Sequence, residues 1–544
     1  MRSIEIPRAE DRDKKYRLFE ILPGVLTYLI LSLPVILGLI APKLAAYFLI
    51  AYLLLWFIRA IGLDIRSLQG WRTMKEHMGL PWLKLLDDLE TLEPTAAEAP
   101  KWHARNLVRV KRNISATRIK PSEVYHAVII AWWKESRHVV EPTVKSVLAA
   151  DFDPKKIILI LAYEERGGPQ IEQLANDLAR EYGDKFYYAE AVKHPGDIMG
   201  EVIGKGGNVT YAGRRLEKYL EEAKIDPINV LVTTLDSDNR PDKQYFGALT
   251  YTYCSTEEPK YASYQPVTMY TNNIWDAPAP MRVIAVGNSF WNVVLSLRQH
   301  LLRNFSAHAQ PMAALIDTDF WSVRTIVEDG HQYWRTWFRY DSKYDVFPIF
   351  VPIYQDAVLT DKYKKTLKMQ FKQVQRWAWG VSDVAYFVNQ AFYKKNSIPL
   401  RKRISKFSRL LEGHLSWSTA PLLLLMAAYP LFLFHTSSLT FGTAYLANEI
   451  PQYASGLQRI AMLGILVSLY LSMRMLPPKP ERYKRRRTVW MVLQWVYLPI
   501  TSIIYSSFAA INSQTRLMLG RYLGFVTTEK ATKSERTDVG SMIK

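Results

Sequence analysis

Two carboxylates stand two residues apart in Asp236-Ser237-Asp238, directly after the apolar run Val230 to Leu235. Hard oxygen ligands of this kind suit Mg²⁺ or Mn²⁺, and such a cation suits a diphosphate. The run lacks polar alternation, so it reads as a strand buried on both faces, and Asn239 and Pro241 turn the chain after it. That puts the acids at the carboxyl edge of an α/β sheet, where open sheets bind ligands. An isolated Asp-x-Asp is just as readily an Asx-type turn of solvated acids, so its company decides. Four further clusters accompany it: Ala131-Trp132-Trp133-Lys134-Glu135 after an opening apolar run, Lys205-Gly206-Gly207-Asn208 ahead of a helix, Val327-Glu328-Asp329-Gly330 after the strand-like Ser322 to Ile326, and Gln373-Val374-Gln375-Arg376-Trp377. The last lies on a helix, where spacings of three and four put Gln373, Arg376 and Trp377 on one face.

The elements that must position these groups follow from the apolar periodicity. Strand-like runs at 127–130, 157–161, 186–188 and 230–235 alternate with helix-like stretches at 140–149, 170–182 and 208–223. Such alternation predicts an α/β domain over 121–395, with a parallel sheet and helices on its faces.

The 544 residues are 49% hydrophobic yet carry a net charge of +19, so apolar and basic material is segregated. The basic residues crowd beside apolar segments, as in Arg401-Lys402-Arg403 and Lys484-Arg485-Arg486-Arg487. With no helix-turn-helix, zinc-finger or ribonucleoprotein motif, the partner expected is a lipid bilayer and not nucleic acid. The single cysteine, Cys254, excludes an internal disulfide and a cysteine-based zinc site. The histidines show no metal spacing, there is no Gly-x-Ser-x-Gly elbow, and Lys205 does not belong to a Walker loop.

Residues 1–62 read as a mixed-charge tail and a tight transmembrane hairpin, with spans at Ile21 to Ile40 and Leu44 to Ile58. Residues 63–120 are an amphipathic and linker segment whose Leu80 to Leu86 stretch lies on the bilayer or packs on the next domain. A basic amphipathic interface helix at 396–414 precedes spanning segments in 415–512, at Pro421 to Phe434, Ile460 to Leu476 and Val489 to Ile511, the last broken at Pro499. The loop Thr436 to Gly456 has no Lys or Arg, whereas Lys479 to Arg487 carries six basic residues and one acid. The positive-inside rule therefore places the α/β domain in the cytoplasm. A broken, re-entrant last segment would return the tail 513–544 to the same side.

Taken in order, Lys-x-Gly-Asn, Asp-x-Asp, Glu-Asp and Gln-x-x-Arg-Trp resemble the pattern of the membrane-embedded glycosyltransferases of family 2, which include cellulose, chitin and hyaluronan synthases, over roughly residues 124–380. The flanking apolar segments and the closing Phe525-Val-Thr-Thr-Glu-Lys530 are similar too. The resemblance implies a GT-A-like fold (a mixed, mostly parallel sheet), inversion at the anomeric carbon, Mg²⁺ or Mn²⁺, a nucleotide diphosphate sugar donor with a UDP-sugar first in line, and a glycan or lipid-linked acceptor. It places the enzyme in the plasma or inner membrane. Asp238, helped by Asp236, would hold the metal against the departing diphosphate, with Lys205 adding a point charge. Asp329 would be the general base for the acceptor hydroxyl, and Glu328 beside it would orient it or serve the structure. Arg376 offers a fork to the diphosphate, and Trp377 with Gln373 offers a face to the acceptor sugar.

The chain departs from the pattern in two places. Where the family has Pro-x-Tyr-Asn-Glu this chain has Ala131 to Glu135, and where it has Asp-Asp-Gly this chain has Leu161-Ala162-Tyr163-Glu164-Glu165-Arg166. Glu164 or Glu165 would take the place of the nucleobase aspartate. The stretch from Tyr245 to Asn304 is longer than the pattern needs and is expected to be a lid or an acceptor-binding insertion. Three activities remain open: processive polysaccharide synthesis, transfer of one sugar to a polyprenyl or other lipid carrier, and a degenerate sugar-nucleotide-binding scaffold subunit.

Overall fold

The computed structural model describes residues 3–95, 99–113, 118–428, 452, 456, 464 and 466–524. The β-branched, largely apolar runs form β1 (Tyr125–Trp132), β2 (Ile157–Glu164) and β4 (Val230–Asp236), and the more polar, half-buried β3 (Tyr188–His194) adds the edge beside β2. These pair in parallel, and Ala131 of β1 stands opposite both Ala162 of β2 and Asp236 of β4. Beyond β4 the sheet changes direction. The short β7 (Ala309–Pro311) runs antiparallel to both β4 and β6 (Ala262–Met269), β8 (Asp345–Tyr354) is parallel to β6, and β5 (Arg240–Pro241) closes the edge. The order β3-β2-β1-β4-β7-β6-β8-β5 is a mixed, mostly parallel sheet, the GT-A-like fold expected.

Helices cover both faces, because alternate residues of a buried strand point to opposite sides. Val128 and Ile130 of β1 face α5 (Arg137–Leu148), α6 (Pro169–Gly183) and α8 (Tyr245–Ser255). Ala127 and Ile129 face α7 (Lys205–Ala223) and α10 (Met312–Asp317). Around this core run α1 (Lys14–Ile40), α2 (Pro42–Met78), α3 (Trp82–Thr91), α4 (Lys101–Arg112), α9 (Ala279–Ser296), α11 (Glu328–Arg339), α12 (Tyr363–Ala378), α13 (Asp383–Val388), α14 (Leu400–Ala428), α15 (Arg485–Leu493), α16 (Leu498–Thr501) and α17 (Ala509–Met518).

Several expectations change. The stretch from Tyr245 to Asn304 is not a lid: α8 is buried almost throughout and β6 is a fully buried strand, so this region is part of the core. No strand forms at 322–326, and Glu328 and Asp329 instead occupy the first turn of α11. The third strand begins at Tyr188, since Phe186 turns inward before it. Of the two placements expected for the Leu80 to Leu86 stretch, α3 takes the second and packs on the sheet domain: Leu85 and Leu89 are fully buried and the Trp82 ring meets Tyr251 at 5.5 Å. The expected division at 414/415 falls inside one continuous helix, α14.

Two helices near the amino terminus, α1 and α2, are long and apolar enough to cross a membrane, as is the helical stretch Arg485–Met518. A break at Ala41 followed by Pro42 at the first turn of α2 makes the hairpin corner. The last stretch is irregular on both sides of Pro499, as a 3₁₀ turn at Gln494–Tyr497 and a π segment at Ser502–Phe508. It touches the α/β domain near its start (Arg487 Nη2 to Trp275 O, 2.6 Å) and near its end (Ser513 Oγ to Gln375 O, 2.7 Å). The expected features at Pro421 to Phe434, Thr436 to Gly456, Ile460 to Leu476, Phe525 to Lys530 and the 513–544 tail lie wholly or in part outside the described residues.

Candidate active site

Asp236 ends β4, and Lys205 begins α7 on the neighbouring face of the sheet. Lys205 Nζ lies 2.9 Å from Asp236 Oδ1 and 3.8 Å from Asp329 Oδ1, so one ammonium bridges acids from two distant parts of the chain. Burial works against the lysine's charge, but Asp236, Asp329 and Glu328 outweigh it and hold the Lys205 pKa above its ordinary value. The glycines after Lys205 permit this approach. A Cβ on Gly206 would collide with the carbonyl of Ser322 and meet Glu328 Cβ at 3.3 Å, and one on Gly207 would meet the His194 ring at 3.2 Å. Asn208 Nδ2 then ties α7 to β2 through Ala162 O at 2.9 Å. Gly206→Ala is expected to cost about 1–3 kcal/mol through overpacking, read as a lower unfolding midpoint; an unchanged midpoint would show that the α7–α11 approach is slack.

Asp329 is held on several sides. His308, fully buried, places Nδ1 3.6 Å from Asp329 Oδ1 and donates it to Phe305 O at 2.9 Å. His308 Nε2 accepts from Trp321 Nε1 at 3.2 Å, which makes Nδ1 the protonated nitrogen. Burial lowers the His308 pKa, so the ring is a neutral donor. Burial first, and then the Asp329 charge, push the adjacent Glu328 up to about 8. Glu328 Oε2 and Asp329 Oδ1 are buried without a hydrogen-bond partner among the described residues, which marks a place for a ligand donor.

Asp238 is fixed more tightly than Asp236. Its Oδ2 accepts from Asp356 N at 3.0 Å and its backbone carbonyl accepts from Asn272 Nδ2 at 2.9 Å. Asp236 is 37% exposed and accepts from Ser306 Oγ at 2.7 Å. This pair fits a hard divalent cation. Among the described residues no three His, Cys, Asp or Glu side chains gather for a metal.

From α12, Trp377 meets the Tyr270 ring at 6.2 Å, and the Arg376 charge acts on both Tyr270 and Glu328. Burial, followed by Asp236 and Asp238, raises the Tyr270 pKa, which places that hydroxyl beside the two acids. Gln373 Oε1 accepts from Gln370 Nε2 at 3.2 Å along the same helix.

Glu164 closes β2 and is already engaged. Arg166 Nε donates to its Oε2 at 3.2 Å, and His194 Nδ1 lies 3.2 Å from Oε1. His194 Nε2 reaches Glu201 at 2.9 Å, while Glu165 instead accepts from Gly196 N at 3.0 Å. Burial would lower the His194 pKa, but Glu164 and Glu201 outweigh it and raise it above 6.5. A histidine raised by folding stabilises fully below its unfolded pKa, and that contribution is lost as the pH rises through its folded value. The unfolding midpoint is therefore expected to fall as the pH climbs above 6.5, with His194→Gln removing that part of the slope; parallel pH profiles for the two proteins would sink the assignment.

Sequence reasoning missed His308, Ser306, Asn272, Tyr270, Asp356, His194 and Glu201. None sits in a recognisable motif, and only the folded pairing brings them to the acids.

The sheet and the acids at its carboxyl edge define a GT-A-like α/β domain. No family model matches the sequence, and no curated protein does. In shape the chain is similar to the mannosyltransferase PcManGT from Pyrobaculum calidifontis, solved with GDP-Man and Mn²⁺ (14% identity, 78% of this chain, 98% of that chain, TM-score 0.39). Similar too are S. aureus TarS 1–349 with UDP (11%, 75% and 95%, 0.34) and GalNAc-T7 with UDP, GalNAc and Mn²⁺ (9%, 53% and 56%, 0.30).

Proposed function

We propose that this chain is a membrane-bound inverting glycosyltransferase that moves a sugar from a nucleotide diphosphate sugar to an acceptor hydroxyl. One observation carries the reading: Lys205, at the amino end of α7, bridges Asp236 and Asp329. The proposed base and one acid of the proposed cation-binding pair are thus joined through one ammonium, which supports the reading. The amino end of α7 adds its unpaired backbone N–H groups, a setting for the donor diphosphate. Asp329 takes the proton from the acceptor hydroxyl, and that oxygen attacks the anomeric carbon from the face opposite the diphosphate. The sugar–phosphate bond breaks, and the leaving oxygen is neutralised by Lys205 and Arg376. Asp236 and Asp238 would hold a divalent cation, which supplies further charge stabilisation to the diphosphate when bound. Trp377 and Tyr270 present aromatic faces to the acceptor. The spans of α1 and α2 fix the domain to the bilayer, and Arg485–Met518, touching the domain near both ends, lies along the interface on the domain's side.

Incubating membranes that contain the chain with a panel of radiolabelled nucleotide sugars tests this directly. Incorporation of label into glycan or lipid from one donor is expected. Absence of both transfer and metal-dependent donor hydrolysis with every donor would leave only the scaffold reading.

A further inference from the structure

The apolar stretches of α2 and α14 become charged at one level. In α2 no charged residue occurs between Lys43 and Arg59, and in α14 none occurs from 413 to 428. Arg59 Nη2 joins Glu412 Oε1 there at 3.0 Å, tying the two helices together. The carboxyl end of α9 docks further along α2, one turn past Arg66, where a Cβ on Gly70 would meet Leu297 at 3.4 Å. The next residue, Arg298, therefore comes close to Arg66, while Arg409 stands one turn before Glu412 on α14. Burial, and then the charges of Arg66, Arg409 and Arg59, hold the Arg298 pKa below its ordinary value. Beneath them Arg303 lies 4.6 Å over the Trp334 ring, and Lys406 Nζ donates to Tyr333 Oη at 2.5 Å. Glu412, half exposed, is the only carboxylate within 4 Å of any of these six cations among the described residues.

Gathering like charges with few counter-ions costs free energy unless an anion completes the set. Four guanidinium forks from three elements match phosphate oxygens, which Arg binds through paired donors. Just above them on α2, Leu54, Leu55 and Ile58 are exposed, so apolar chains have a surface directly beside the cations. We propose that Arg59, Arg66, Arg298 and Arg409 form a binding site for the phosphate of a lipid headgroup. The site is separate from the acids at the sheet edge and does not depend on what the chain catalyses.

The full-length chain is placed in phosphatidylcholine nanodiscs containing a minor fraction of phosphatidylglycerol, and retained lipid is counted by native mass spectrometry. Wild type is expected to retain phosphatidylglycerol in preference to phosphatidylcholine, and inorganic phosphate at matching concentration should not displace it. The double variant Arg298→Gln/Arg409→Gln should lose that retention roughly tenfold or more, at about 1 kcal/mol for each cation near an anionic surface. A control, Arg401→Gln/Lys402→Gln, removes exposed cations from the same helix outside the cluster and should retain the lipid. Unfolding supplies a second readout: phosphatidylglycerol should raise the wild-type midpoint and leave that of the double variant unmoved. Equal loss in the control, full retention in the double variant, no preference in wild type, or displacement by inorganic phosphate would each overturn the proposal.

Discussion

Asp329→Asn is expected to keep nucleotide binding and to lose transfer, with turnover down by about 10²–10⁴-fold, the usual worth of general acid–base catalysis. Asparagine keeps the size of the side chain and its approach to Lys205 and His308, so the cleft persists while its base is gone. The neutral, Nδ1-protonated His308 cannot replace it, because Nδ1 is a donor and Nε2 is taken by Trp321. Donor affinity measured by calorimetry beside initial transfer rates separates the two effects. Near-normal turnover would refute the base assignment, and lost affinity would reassign Asp329 to the binding of the donor.

Asp238→Ala is expected to abolish metal-supported nucleotide binding. Partners that merely support a metal ligand are worth about 10–100-fold in affinity, so removing a ligand should cost at least that much. Because Asp238 Oδ2 also accepts from Asp356 N, the alanine variant loses a structural bond as well. Asp238→Asn keeps an acceptor for that bond and lowers the charge, so both variants should lose the Mn²⁺ dependence of nucleotide affinity. Loss in the alanine variant alone would show that Asp238 serves the loop around Asp356 and not a cation. Unchanged affinity in both, with and without Mn²⁺, would remove it from the site.

Strands β1, β2 and β4 were legible because they are built on runs such as Val128-Ile129-Ile130 and Ile157-Ile158-Leu159-Ile160, whereas Glu190 and Lys193 in β3 confuse the period and the strand was read at 186–188. β6 was hidden because Ser263, Gln265 and Thr268 interrupt it. Their burial is satisfied only by partners far along the chain, as when Ser263 Oγ donates to Asn304 Oδ1 at 2.7 Å and Gln265 Oε1 accepts from Phe305 N at 2.7 Å. The site divides in the same way. Lys205, Asp236, Asp238, Glu328 and Asp329 stood out because acids and a lysine beside glycines have few other uses at strand and helix ends. Asn272 and His308 act through a backbone carbonyl and a ring tautomer, which leave no trace in residue spacing. The engagement of Glu164 by Arg166 and His194 was equally out of reach, since it needs the β2–β3 register that sets Glu164 opposite His194.

Arg17 donates to the carbonyls of Leu517 and Met518, and Thr27 donates to Gln514 at 2.5 Å and pairs with Ser418 at 2.9 Å. Along the chain α1 thus waits for α17, separated from it by 487 to 501 residues at these bonds, before these polar groups find their partners. During translation Thr27 must rest against water, lipid headgroups or an insertase. Assembly of the finished fold is then a late event of very high contact order, and it should be slow relative to folding of the sheet.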